Sequence, residues 1–111
     1  MVQIGKGPTG GVYGCTIGVT NVEKALAVYS DILGYDEVVS DRTDVFDDFA
    51  VLPGGTHRFR RVLLRHSKAR RGAFSCLLGP SEIELVSVEG RSPRKIFENR
   101  LWGDQGYIHL C

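Results

Sequence analysis

The densest chemistry in this 111-residue chain lies in His57-Arg58-Phe59-Arg60-Arg61-Val62-Leu63-Leu64-Arg65-His66-Ser67-Lys68-Ala69-Arg70-Arg71, a run holding seven of the 14 Lys and Arg residues. Guanidinium forks suit carboxylate, phosphate or a CoA-like tail, so Arg58 and Arg60 are candidates for holding an anionic group of a ligand. On a strand, Arg58, Arg60, Val62, Leu64 and His66 share one face, and Phe59, Arg61, Leu63 and Arg65 the other. The plainer account of this run is a solvated edge strand guarded by charge against aggregation. Its aromatics are too sparse for a nucleic-acid stacking platform. Two further residues can do chemistry. Glu84 lies in the alternating stretch Glu82-Ile83-Glu84-Leu85-Val86, where the ordinary fate of a strand-face carboxylate is solvent or a partner among the arginines. His109 lies in the apolar segment Tyr107-Ile108-His109-Leu110, where a hydrogen-bonded core histidine is the ordinary reading. The two stand 25 positions apart, and no local spacing rule links them.

The elements that must position these residues are legible in the pattern. In Tyr13-Gly14-Cys15-Thr16-Ile17-Gly18-Val19 the odd positions are apolar and the even ones small or polar, the mark of a strand with one buried face. Thr20 or Asn21 can cap the helix that follows, and Thr20 with Glu23 makes a capping box. Val22, Ala25, Leu26, Tyr29, Ile32 and Leu33 then form one helical stripe, which Gly34 can end at positive φ. Residues 35–40 alternate again. A polar, acid-biased loop over residues 41–48 and a Pro53-Gly54-Gly55 turn lead to a long strand at residues 58–66. A basic loop at residues 67–72, a strand at residues 73–78, a Gly79-Pro80-Ser81 turn and a strand over residues 82–88 complete a βαβββ order. Pro93 suits the first turn of a short helix over residues 94–101, and Trp102 and Tyr107 read as anchors of this connection.

This order resembles a module of the vicinal-oxygen-chelate superfamily, which includes glyoxalase I, bleomycin-resistance proteins, extradiol dioxygenases and methylmalonyl-CoA epimerases. The matching residues are Val19-Thr20-Asn21, Val28-Tyr29-Ser30-Asp31, Leu33-Gly34-Tyr35 and the strand Ile83-Glu84-Leu85. Residues 106–111 are similar to the start of a second module. The resemblance implies an α+β fold with a leader at residues 1–11, a first module at residues 12–90, and a connection with the first strand of an incomplete second module at residues 91–111. It implies a cup between two modules that binds or converts a small oxygen-rich molecule, with a divalent metal (Zn, Ni, Mn or Fe) as Lewis acid in a lyase, isomerase or dioxygenase. Glu84 matches the fourth-strand carboxylate ligand, which in such an enzyme can also exchange protons with the substrate. His109 matches the first-strand histidine of the second module. Gly14 stands where the first module's histidine would be and has no side chain to offer. That departure favours an alternative, a metal-free ligand-sequestering protein of the bleomycin-resistance kind. A non-catalytic pairing module is a third reading. The resemblance also implies a homodimer or pairing with a second module, because one module leaves a concave face and strand edges uncovered.

Composition sets the outer limits. The length suits one domain with a modest core. With 14 basic and 13 acidic residues the chain is near neutrality, against a general nucleic-acid binder. No apolar run approaches a membrane span, and the N-terminal stretch lacks a signal-peptide pattern, so a cytoplasmic protein without membrane contact is expected. Cys15, Cys76 and Cys111, odd in number and widely spaced, read as buried thiols.

Overall fold

The computed structural model describes residues 14–68 and 81–105. They form an α+β domain around one mixed four-stranded sheet. The elements are β1 (Gly14–Gly18), α1 (Val22–Leu26), which runs on as a π-helical stretch (Ala27–Ile32), β2 (Glu37–Asp44), α2 (Asp47–Ala50), β3 (Phe59–Arg65) and β4 (Glu82–Val88). The sheet order is β1-β4-β3-β2. β1 runs parallel to β4, with Thr16 beside Glu84, and β2, β3 and β4 pair antiparallel.

Period-two alternation decides what each face does. Val62, Leu64, Ile83 and Leu85 point to one side and close with Val22 of α1 into the core, flanked by Cys15, Ile17, Ala25, Leu26 and Tyr29. Val62, Leu64 and Leu85 are fully buried, each worth about 1.5–3 kcal/mol of apolar transfer. The residues between them, Thr16, Glu84, Arg61 and Leu63, belong to the opposite face, which none of the helix α1 side chains covers. Among the described residues the molecule is therefore a sheet with helix α1 on one face and only the short α2 segment over part of the other, the open face.

Several expectations change in detail. The cap of α1 is Asn21, whose Oδ1 accepts the Lys24 N–H at 3.0 Å. No capping box forms with Thr20, because with Asn21 as the cap Glu23 falls at the second helical position, and its carboxylate instead meets Arg60 at 2.7 Å. The helical stripe holds through Tyr29, after which Leu33 N–H bonds to the Val28 carbonyl, five residues back. The wider π turn rotates the last stripe positions away from the sheet, and Ile32 and Leu33 are exposed. Gly34 does leave the helix at φ +81°.

The polar stretch expected to be loop instead continues β2 to Asp44 and then forms α2. Its charges are tolerated in an edge strand because Asp41 meets Arg60 across the sheet at 2.8 Å. The helix expected over residues 94–101 gives way to turns: Asn99 sits at φ +61°, and Asp104 Oδ2 takes the Leu101 N–H at 2.8 Å. A short helix with no packed face cannot offset its nucleation cost, and such side-chain bonds compete with it. The expected leader, the strand at residues 73–78 and the segment 106–111 lie outside the described residues, as do Cys76 and Cys111; Cys15 carries a free thiol.

Candidate functional site

The open face has an ordered polar centre. Glu84, in the middle of β4, alternates with the core residues Ile83 and Leu85 and so projects away from the core. Thr16, its neighbour on β1, donates its hydroxyl to Glu84 Oε1 at 3.0 Å. Arg61 of β3 reaches diagonally across the sheet and forks onto the same carboxylate, Nε to Oε2 at 3.1 Å and Nη2 to Oε1 at 3.3 Å. The remaining nitrogen, Nη1, donates to both oxygens of Asp48 on α2 at 3.0 and 2.9 Å. The two principal partners are shielded, with side-chain exposures of 22% for Arg61 and 17% for Glu84, whereas Asp48 is mostly exposed.

Aromatic rings fix this guanidinium from above. Its carbon lies 4.7 Å from the Phe46 ring centre and 4.2 Å from that of Phe49, within cation–π range. Phe49 packs edge-on against Phe59 at 5.1 Å, and Phe46 is buried. The segment carrying these rings is held close by Gly55, whose missing side chain admits the Phe49 carbonyl where a Cβ would stand. Burial opposes the charge on Arg61, but the Asp48 hydrogen bonds and the Glu84 charge outweigh it and hold its pKa above the usual guanidinium value. Arg42 stands directly opposite Arg61 in the β2–β3 register, 5.1 Å from the Phe46 ring centre.

The expected site residues separate. Arg60, adjacent to Arg61, necessarily points to the helix side, where Asp41 and Glu23 hold it and raise its pKa. Arg58 donates to Glu89 and to the Thr43 carbonyl at the end of the sheet. Neither stands with Glu84 on the open face. His109 lies outside the described residues. Arg61, on the face opposite Arg58 and Arg60 by alternation, and Asp48, in the stretch expected to be loop, are the functional residues that composition does not mark; the signal that finds them is the run of Phe46, Asp48 and Phe49 leading to a strand whose open-face positions include Phe59 and Arg61.

A metal fits this set poorly. A catalytic divalent ion needs about three protein donors converging with a position left open. The described residues hold no group of three or more His, Cys, Asp or Glu side chains arranged for that. Both Glu84 oxygens are engaged by Arg61 and Thr16, so a metal would have to displace a charged fork. Gly14 contributes no ligand, and a Cβ there would stand 2.5 Å from the Glu82 carbonyl oxygen, so the backbone of β4 also leaves little room for one. What the arrangement can do is present hydrogen-bond donors and acceptors, fixed in direction, beside apolar ring surface. Fixed polar groups beside apolar surface are the lining that a small-molecule site uses.

No helix among the described residues is long and apolar enough to cross a membrane. Comparisons of the chain with protein-family models, with curated proteins and with solved structures found no match.

Proposed function

We propose that this chain is a glyoxalase-like βαβββ module that binds a small oxygen-rich molecule on the open face of its sheet without a metal, in the manner of a ligand-sequestering protein. The element order, the β1-β4-β3-β2 sheet and the "IEL" strand with its central glutamate on the open face support the module. The observation that carries the metal-free reading is the Arg61 fork on Glu84, locked by Thr16, Asp48, Phe46 and Phe49. A hydroxyl, carbonyl or carboxylate oxygen can exchange into this network at Thr16 or at the exposed Asp48 side, while the inner Arg61–Glu84 pair stays in place. A second module, from another copy or another chain, would close the cup. The free thiol of Cys15 suits a reducing compartment such as the cytoplasm.

A second reading keeps the metal-dependent lyase, isomerase or dioxygenase with Glu84 and His109 as ligands. It is favoured by the position of Glu84 on the open face. Elemental analysis after mild loading, paired with thermal shifts against a panel of hydroxy acids, keto acids and diols with and without chelator, separates the two. Metal-free protein stabilised by a panel member equally in both conditions is expected. Stoichiometric metal that is lost in Glu84→Ala would replace this reading with the second.

A further inference from the structure

Two exposed stretches leave the same end of the sheet, one after Asp44 of β2 and the other after Val88 of β4. The chain leaving β4 turns at Gly90, φ +85°, and Arg91 runs beside the Gly54 turn, its guanidinium 3.8 Å from where a Gly54 Cβ would stand. Two strips, the first without regular structure and the second carrying α2, therefore begin side by side. The first, residues 91–104, sets Arg91, Arg94, Lys95 and Arg100 against Glu98 and Asp104, and is basic. It also exposes Ile96 at 71%, Leu101 at 79% and Trp102 at 80%, with Phe97. The second, residues 44–52, has Asp44, Asp47 and Asp48 with no cation, and exposes Val51 at 86% with Val45 and Leu52.

Each strip is apolar and charged, and their charges are opposite. They do not satisfy each other within the chain: no ion pair joins them among the described residues, and the side chains of Asp44, Asp47, Arg94 and Lys95 have no ion-pair partner there. Large side chains this exposed, clustered and rimmed by charge mark a surface that is covered in use. A basic half next to an acidic half is self-complementary, as an isologous two-fold contact must be, because each half meets the other half of its mate. We infer that two copies of this chain pair through this end, the 91–104 strip of each lying on the 44–52 strip of the other, with Trp102 among the buried anchors. The contact borders the open-face network at Asp48 but rests on no reading of what binds there.

Trp102 is the single tryptophan of the chain and reports on this surface directly. Light scattering after gel filtration at micromolar concentration should give twice the 12.2 kDa chain mass, with Trp102 emission blue-shifted and protected from acrylamide on association. Asp44→Lys with Asp47→Lys, and separately Arg94→Glu with Lys95→Glu, should each weaken pairing at least about tenfold through like-charge opposition, and an equimolar mixture of the two variants should re-form a dimer. All four positions are exposed, and circular dichroism verifies that each variant is folded. A monomeric wild type, a dimer indifferent to both reversals, or variants that do not associate when mixed overturns the inference.

Discussion

Removing Arg61 is the perturbation whose consequence follows most directly from the structure. Arg61→Ala strips Glu84, whose side chain is only 17% exposed in the intact chain, of its fork, so the part of its desolvation that remains is no longer compensated. Leaving a partly buried charged acceptor unpaired costs about 1–3 kcal/mol. The pair with Asp48 adds little, about 0–1 kcal/mol, because Asp48 is 61% exposed and screened by water. Loss of two ring contacts removes about 0.5–1 kcal/mol each. The sum is roughly 2–6 kcal/mol, a large fraction of the stability of a domain this size. Urea unfolding followed by circular dichroism measures it. The decisive comparison is Glu84→Gln in both backgrounds. In the native chain it should destabilise, since Gln gives Arg61 no charge to meet. In Arg61→Ala it should stabilise, since it neutralises the stranded carboxylate while the Thr16 hydrogen bond persists. If Glu84→Gln costs the same in both, the fork is not coupled and the reasoning fails.

Three further outcomes are expected. Gly14→Ala should destabilise by about 1–3 kcal/mol in thermal melts, because its Cβ meets the Glu82 backbone and not a movable side chain. Asn21→Ala should cost about 1 kcal/mol by the same assay, whereas Thr20→Ala should be nearly silent, since Asn21 alone holds the Lys24 N–H. Acid should destabilise the fold through Asp41, Asp36 and Glu37. The Arg60 hydrogen bond lowers the Asp41 pKa, the Ser67 backbone hydrogen bond that of Asp36, and the Arg65 hydrogen bond that of Glu37. A carboxylate bound more tightly as an anion in the native state contributes stability above its unfolded pKa of about 4, and this is lost as pH falls through the lower folded value. Urea midpoints from neutral pH to pH 3 should fall, and Asp41→Asn should flatten that fall.

The fold was more legible in the sequence than the site. Alternation placed β1, β3 and β4 nearly residue for residue, because each has one buried face and the apolar positions report it. β2 beyond Ser40 was hidden, since an edge strand whose side chains Asp41, Arg42, Thr43 and Asp44 are all polar carries no period to read. The π-helical end of the first helix was invisible as well, the spacing of Ile32 and Leu33 being that of a regular helix. For the site, alternation put Arg61 on the face opposite Arg60, and so on the side of Glu84. The choice of partner was set by tertiary placement of α2, whose four residues leave no helical period. Arg58 and Arg60 drew attention by composition, yet charge density along a strand does not say which side of the sheet receives a ligand.

A metal-free binding surface on the open face can be observed by amide NMR of the chelator-treated protein titrated with the oxygen-rich panel. Saturable shifts concentrated at Thr16, Arg61, Leu63 and Glu84 are expected, with the core-side residues Val62, Leu64 and Leu85 little changed and no added effect of divalent cations. Shifts that arise only when a divalent metal is present, or that map to the helix side around Arg60, would contradict it.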